Sequence, residues 1–202
     1  MSKTPESRKD AIIVTAIDLL VEDGHGALSI DRVAQTLDIS KGNLTYHFPT
    51  KDLLVRAMFD KLIDDTQALR ARAARRPCAD PVERFYRYVD FQLALRRKRG
   101  YDAQSWETYA FSAHNRYVRG RVMEMIESYV QELTDIIATL NPELPQQECR
   151  RRSIMINALL RGMLLFTGYE LGNKRHNKAL TEQARRTAAM IAGLEPPGPE
   201  RN

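Results

Sequence analysis

Apolar residues recur at steps of three and four along most of the chain, the period of an amphipathic helix, and no stretch alternates convincingly as a strand would. Ile12, Ile13, Ala16, Ile17 and Leu20 share one face of a first helix that ends near Gly24. Ser29 stands as N-cap of a short helix carrying Ile30, Val33, Ala34 and Leu37. A tight link through Asp38 and Ile39 leads to a second cap, Ser40. The helix that follows is about two turns long, through Tyr46, and Pro49 stops it. Thr50 caps a longer helix with Leu53, Leu54, Ala57, Met58 and Leu62, which runs into an arginine-rich stretch before Pro77.

Asp80 and Pro81 form a helix start, a capping residue followed by proline at the first helical position. That helix carries Phe85, Tyr88, Phe91 and Leu95 and ends in four basic residues at 96–99, a solvated end that suits the helix dipole. Asp102 is expected to cap a short helix holding Trp106 and Tyr109. A long amphipathic helix follows, with Val118, Val122, Met125, Ile126, Tyr129, Val130, Leu133, Ile136, Ile137 and Leu140, and Asn141-Pro142 ends it. The next helix, roughly Gln146 to Leu171, is apolar nearly all round in its second half and must be covered on more than one side. A last helix spans about Lys178 to Ala192, with Gly193 where a C-cap would sit. The expected fold is all-α with about nine helices. Residues 1–54 form a three-helix module, the fourth helix to about 76 links the domains, residues 80–193 form a second domain, and 194–202 form a disordered tail.

The chain has 202 residues, enough for a small module plus a medium domain. Its 43% hydrophobic and 28% charged content predicts an ordered core. No apolar run reaches the ~18 residues of a membrane span. The strongest, Ile154 to Phe166, is broken by Asn157, Arg161 and Gly162. The N-terminus does not read as a signal peptide. Cys78 and Cys149 lie far apart without metal-ligand spacing, so free thiols and a cytoplasmic setting are expected, with a structural disulfide as the minor reading. The formal charge of +5 suits an anionic partner. Residues 1–51, however, hold six Lys/Arg against seven Asp/Glu. Any claim of nucleic-acid binding must rest on where the charges lie.

The third helix supplies that placement. Ser40-Lys-Gly-Asn-Leu-Thr-Tyr-His47 turns only Leu44 clearly inward. Gly42 removes a side chain where a phosphate or base edge would approach. Lys41, Asn43, Thr45, Tyr46 and His47 are donors, and no acid stands between Asp38 and Asp52. A surface helix built only for solubility would mix Glu with Lys, so this composition suggests a polyanion. Phe48 reads as core. Two short helices joined by a three- to four-residue turn form a helix-turn-helix candidate.

The stretch from Gly24 through Ser29-Ile-Asp-Arg-Val-Ala34 and Ile39-Ser-Lys-Gly-Asn-Leu-Thr-Tyr-His-Phe-Pro-Thr-Lys-Asp-Leu-Leu54 closely resembles the DNA-binding signature of the TetR family of transcription regulators. The likeness covers about 45 residues, from Arg8 to Leu54. One position departs: the family usually has Tyr directly after Leu44, where this chain has Thr45 and then Tyr46. The resemblance implies that Lys51, Tyr46 and His47 grip phosphate, with Thr45 adding a hydroxyl contact. It implies that Ser29 and Ser40 offer hydroxyl and backbone N–H groups to phosphate. Lys41 and Asn43 would face major-groove base edges, with Arg32 reaching the same groove. It also implies a homodimer on double-stranded DNA, repression as the common mode, and an effector cavity in the second domain. The last two helices would form the dimer interface.

In that second domain, aromatic and Met side chains concentrate, and at helical spacing they fit a core as well as a pocket. The polar residues Asn157 and Arg161 inside an apolar helix need partners, which a ligand or a second subunit could supply. The expected lining of a small-molecule site is Tyr88, Phe91, Trp106, Tyr109, Met125, Tyr129 and Phe166, with Asn157 or Arg161 as polar fixture. No cofactor or metal is expected. His25, His47, His114 and His176 lack a second ligand at useful spacing, and no nucleophile motif or phosphate loop suggests an enzyme. The alternative is a helical adaptor of the same family that has lost DNA binding and regulates a protein.

Overall fold

The computed structural model describes residues 5–74, 78–95, 100–168 and 174–195. Among these, nine α-helices and no strand occur: α1 (Pro5–Asp23), α2 (Ile30–Thr36), α3 (Lys41–His47), α4 (Lys51–Ala74), α5 (Pro81–Leu95), α6 (Tyr101–His114), α7 (Arg116–Leu140), α8 (Gln146–Gly168) and α9 (Lys174–Ala192). Several expectations fall outside the described residues: Pro77, the basic run at 96–99, the end of the eighth helix at Leu171, and the tail beyond Glu195.

Most helix starts are fixed by one side chain each. Ser29 Oγ accepts from the Arg32 N–H at 3.1 Å, and Ser40 Oγ from the Asn43 N–H at 3.1 Å. Thr50 Oγ1 accepts from Leu53 N–H, Asp80 Oδ1 from Val82 N–H, and Asn115 Oδ1 from Val118 N–H. Each satisfies a donor the first helical turn leaves unpaired. Asp102 does not cap. Gly100 takes a left-handed φ of 76°, which brings the chain into the helix at Tyr101 and leaves Asp102 inside its first turn. α6 is accordingly longer than expected, and α9 starts four residues before Lys178. At the other end of α9, Gly193 (φ 86°) closes the helix, and Leu194 N–H returns to Ala189 O at 2.9 Å.

The chain divides into two compact units. The first comprises Met1–Ala68 and Gly100–Glu124, the second Leu69–Arg99 and Met125–Asn202. The sequence reading set its boundary after the fourth helix; these units instead place α6 and the start of α7 with the N-terminal helices. In the first unit, Ile12, Ala16, Leu20, Leu28, Val33, Leu44, Phe48, Leu54, Met58 and Phe59 are buried. α4 is clasped to α7: Arg121 pairs with Asp60 at 2.8 Å and Asp64 at 2.6 Å, and the Tyr117 hydroxyl donates to Asp60. In the second unit, α5, α7, α8 and α9 share a core of Phe85, Val89, Leu133, Ile137, Ile156 and Leu160. Ala184, Ala188, Ala189 and Ala192 give α9 a face of small side chains, which lets neighbouring backbones approach closely. Cys149 is buried there and Cys78 is half-exposed, and both are free thiols. No helix among the described residues is long and apolar enough to cross a membrane.

Candidate nucleic-acid interface and ligand cavity

α2 and α3 are joined by a turn that leaves no slack. Leu37 N–H bonds to Val33 O, Asp38 N–H to Gln35 O, and Ile39 N–H to Ala34 O. Asp38 takes φ 51°, a left-handed conformation that Asp tolerates better than most residues. Val33, Ala34 and Leu44 are the inward contacts of the pair. Everything else on α3 is at least partly accessible.

Tyr46 is 81% exposed, which rules out a core role, and its ring meets His47 edge-on at 5.2 Å. Phe48 is buried at the end of α3, as expected. Ser29 and Ser40 each use an oxygen lone pair for the cap, which leaves the hydroxyl proton for an outside acceptor. Lys51 is exposed at the first position of α4. Nothing among the described residues demands glycine at position 42: an added Cβ would meet only Ser40 Oγ, at 3.9 Å. The missing side chain leaves room on the outer side. Asn43 is half-buried, and its Oδ1 is shielded from water with no hydrogen-bond partner among the described residues.

Three details went unanticipated. The Thr45 hydroxyl donates back to Lys41 O (3.0 Å) and Gly42 O (3.2 Å), so it is no donor to phosphate in this state. Lys41 Nζ is held by Asp31 at 2.9 Å, and Arg32 reaches Asp23 at 3.4 Å. Both cations thus carry internal counter-charges that the run from Asp38 to Asp52 does not contain.

The second unit holds a cavity of about 240 Å³. Of the expected lining, only Tyr88 and Phe91 border it. Met125 and Tyr129 are buried, Phe166 is 55% exposed, and Trp106 and Tyr109 belong to the first unit. Asn157 is not a free polar fixture. Its Oδ1 accepts from the Tyr88 hydroxyl at 2.7 Å, and its Nδ2 donates to Ser153 O. Gln92 Nε2 donates to the same hydroxyl at 3.2 Å, and burial pushes the Tyr88 phenol up to about 12. Arg161 lies over the Tyr129 ring at 4.8 Å, the geometry of a cation–π contact. Sequence reasoning missed the charged part of the wall, Arg70, Arg84, Arg87 and Glu132. These residues come from three helices and form no local motif.

Residues 12–58 match the model described as bacterial regulatory proteins, tetR family. The HTH-type transcriptional regulator RutR of Escherichia coli K12 is 28% identical over 96 residues, 48% of this chain and 44% of RutR. The matched stretch therefore spans less than half of that relative's length. A TetR transcription regulator from Haloarcula marismortui superposes with a TM-score of 0.75 at 18% identity, over 93% of this chain and 97% of its own. A protein from Saccharomonospora viridis, solved in complex with choline, gives 0.74 at 19% identity over 89% and 94%. Those structural likenesses concern the fold, and the N-terminal match carries the family resemblance: residues 12–58 are similar to the tetR family of bacterial regulatory proteins.

Proposed function

We propose that the chain is a DNA-binding transcription repressor that holds a palindromic operator as a homodimer and lets go when a small molecule binds. The observation that carries this reading is the outer side of α3: donors at Lys41, Asn43, Tyr46 and His47, no acid, and a tyrosine left mostly exposed. In this reading Lys51, Tyr46, His47 and the hydroxyls of Ser29 and Ser40 hold phosphates and fix register. Lys41 and Asn43 read base edges from the major groove, with Arg32 beside them, once Lys41 and Arg32 exchange Asp31 and Asp23 for DNA. The protein acts in the cytoplasm, where that DNA lies.

Dimerisation is supported by α8. Ile154, Met155, Leu165 and Phe166 share one outward side at helical spacing and are exposed, as is Met190 on α9. Apolar surface gathered on one side favours a self-complementary contact about a two-fold axis. The ligand half of the reading is supported by the cavity in the second unit. A protein of the same fold has been solved with choline bound, so the fold accommodates a small organic molecule.

The test is selection of bound sequences from random duplex DNA at low salt. The expected outcome is an inverted repeat with half-sites about one helical turn or somewhat more apart. If no sequence is enriched, the repressor reading fails.

A further inference from the structure

We propose that the cavity of the second unit takes a small organic carboxylate: an aliphatic or aromatic body with one anionic end. The proposal rests on the effector reading above and names the chemistry of its ligand.

Three guanidinium groups, from Arg70, Arg84 and Arg87, border the cavity against one carboxylate, Glu132. Arg87 is engaged by Glu83 through an ion pair one turn away on α5. Arg70 donates through Nε to Glu132 at 3.1 Å, and its guanidinium lies over the Tyr129 ring at 4.4 Å. Its Nη1 is buried and has no hydrogen-bond partner among the described residues. A desolvated charged donor left unmatched is among the costlier defects a fold can carry. Arg84 forms no ion pair among the described residues, and its charge acts on Glu132 only at a distance. One guanidinium with an unused donor and one without a counter-charge therefore border the same small space.

Glu132 cannot satisfy both. Its carboxylate is already committed to Arg70 Nε, and burial raises its pKa, so ionisation is itself disfavoured there. Nor can the Tyr88 hydroxyl serve the ligand, since Asn157 takes its proton. What is lacking is an acceptor with two oxygens, and a carboxylate matches the planar guanidinium fork in that respect. Phe91, Ile136, Ala73 and Ala74 supply an apolar wall. That wall suits a hydrocarbon body, and the volume keeps it small. A cationic ligand would face repulsion from the Arg84 guanidinium, which no carboxylate among the described residues pairs.

The test is calorimetric titration of the full chain, without DNA, with benzoate, phenylacetate and hexanoate. Benzamide, benzyltrimethylammonium and inorganic phosphate are the controls. At least one carboxylate is expected to bind saturably while the three controls do not. Arg84→Gln, at an exposed position that should not disturb folding, is expected to weaken that binding about tenfold or more. Arg70→Gln should do the same; if that variant fails to fold, Arg84→Gln still decides. Benzamide binding as well as benzoate, binding of the ammonium or of phosphate alone, no carboxylate binding at millimolar concentration, or an Arg84→Gln affinity equal to wild type would each overturn the proposal. Because DNA is absent, failure here leaves the operator reading standing, and failure of the operator selection leaves this result standing.

Discussion

α3 turns Leu44 inward and presents donors outward, whereas α8 buries Ser153, Ile156, Leu160 and Met163 on one side and leaves Ile154, Met155, Leu165 and Phe166 open on the other. Both helices depart from the ordinary pattern of core side and solvated side, in opposite directions. An outer side of donors without acids is well hydrated and gains most from a surface of fixed negative charge. Apolar side chains in water forgo about 25 cal/mol for every Å² they could bury, and so gain most from another protein surface. What an outer side lacks, acid on α3 and polarity on α8, indicates the class of partner more clearly than the fold does.

The strongest way to break the comparison is to give α8 the character of a solvated helix. Leu165→Glu with Phe166→Glu should leave a folded monomer. Operator affinity should then fall on the order of a hundredfold or more, because the two half-sites no longer share one linked binder. Light scattering and operator titration check both parts, and an intact dimer with unchanged affinity would remove α8 from the interface. Next is the single inward contact of α3. Leu44→Ala should cost about 2–5 kcal/mol of stability, as truncations at fully buried sites do. A urea midpoint that barely moves would mean that α3 is held by something other than Leu44. Smaller effects separate the two jobs proposed for the DNA side. Asn43→Ala should relax preference at one base position by about 1–3 kcal/mol. Lys51→Ala should weaken binding to all sequences alike and lower the salt slope by about one unit. If Lys51→Ala instead alters sequence preference, the division between positioning and reading is misplaced.

The short helices of the N-terminal part were legible in the sequence because their determinants are local. Ser29, Ser40 and Thr50 each bond three residues ahead, and Leu44 is the lone apolar residue of its helix. The Lys41–Asp31 pair was not legible, since it spans the turn between two helices. The cavity was least legible. The aromatic residues named for it sit at core spacing, and several serve the core: Tyr129 is buried against Arg70 and Arg161, and Tyr88 anchors Asn157. The charged wall comes from residues 70, 84, 87 and 132 on three helices, and no periodicity joins them. Asp102 misled for a local reason: a capping residue type stood two places after a glycine able to begin the helix in a left-handed turn.

Asn141 bears on the order in which the second unit assembles. Its Nδ2 donates to Ile137 O within α7 and to Ala192 O at the end of α9, both at 3.0 Å, and the second bond joins positions 51 apart. The chain between must already have folded back on itself before that bond returns anything for the closure entropy. The same spot is tightly packed: a Cβ on Gly193 would come within 2.9 Å of Asn141 Oδ1 and 3.0 Å of Arg152 Nη1. The joint should therefore close late, after the folding transition state. Asn141→Ala should speed unfolding while leaving the folding rate nearly unchanged, as stopped-flow measurement of both limbs would show. An equal loss on the folding limb would instead make this joint part of the nucleus. As a late-closing joint it acts as a clasp, governing how long the folded second unit lasts more than how fast it forms.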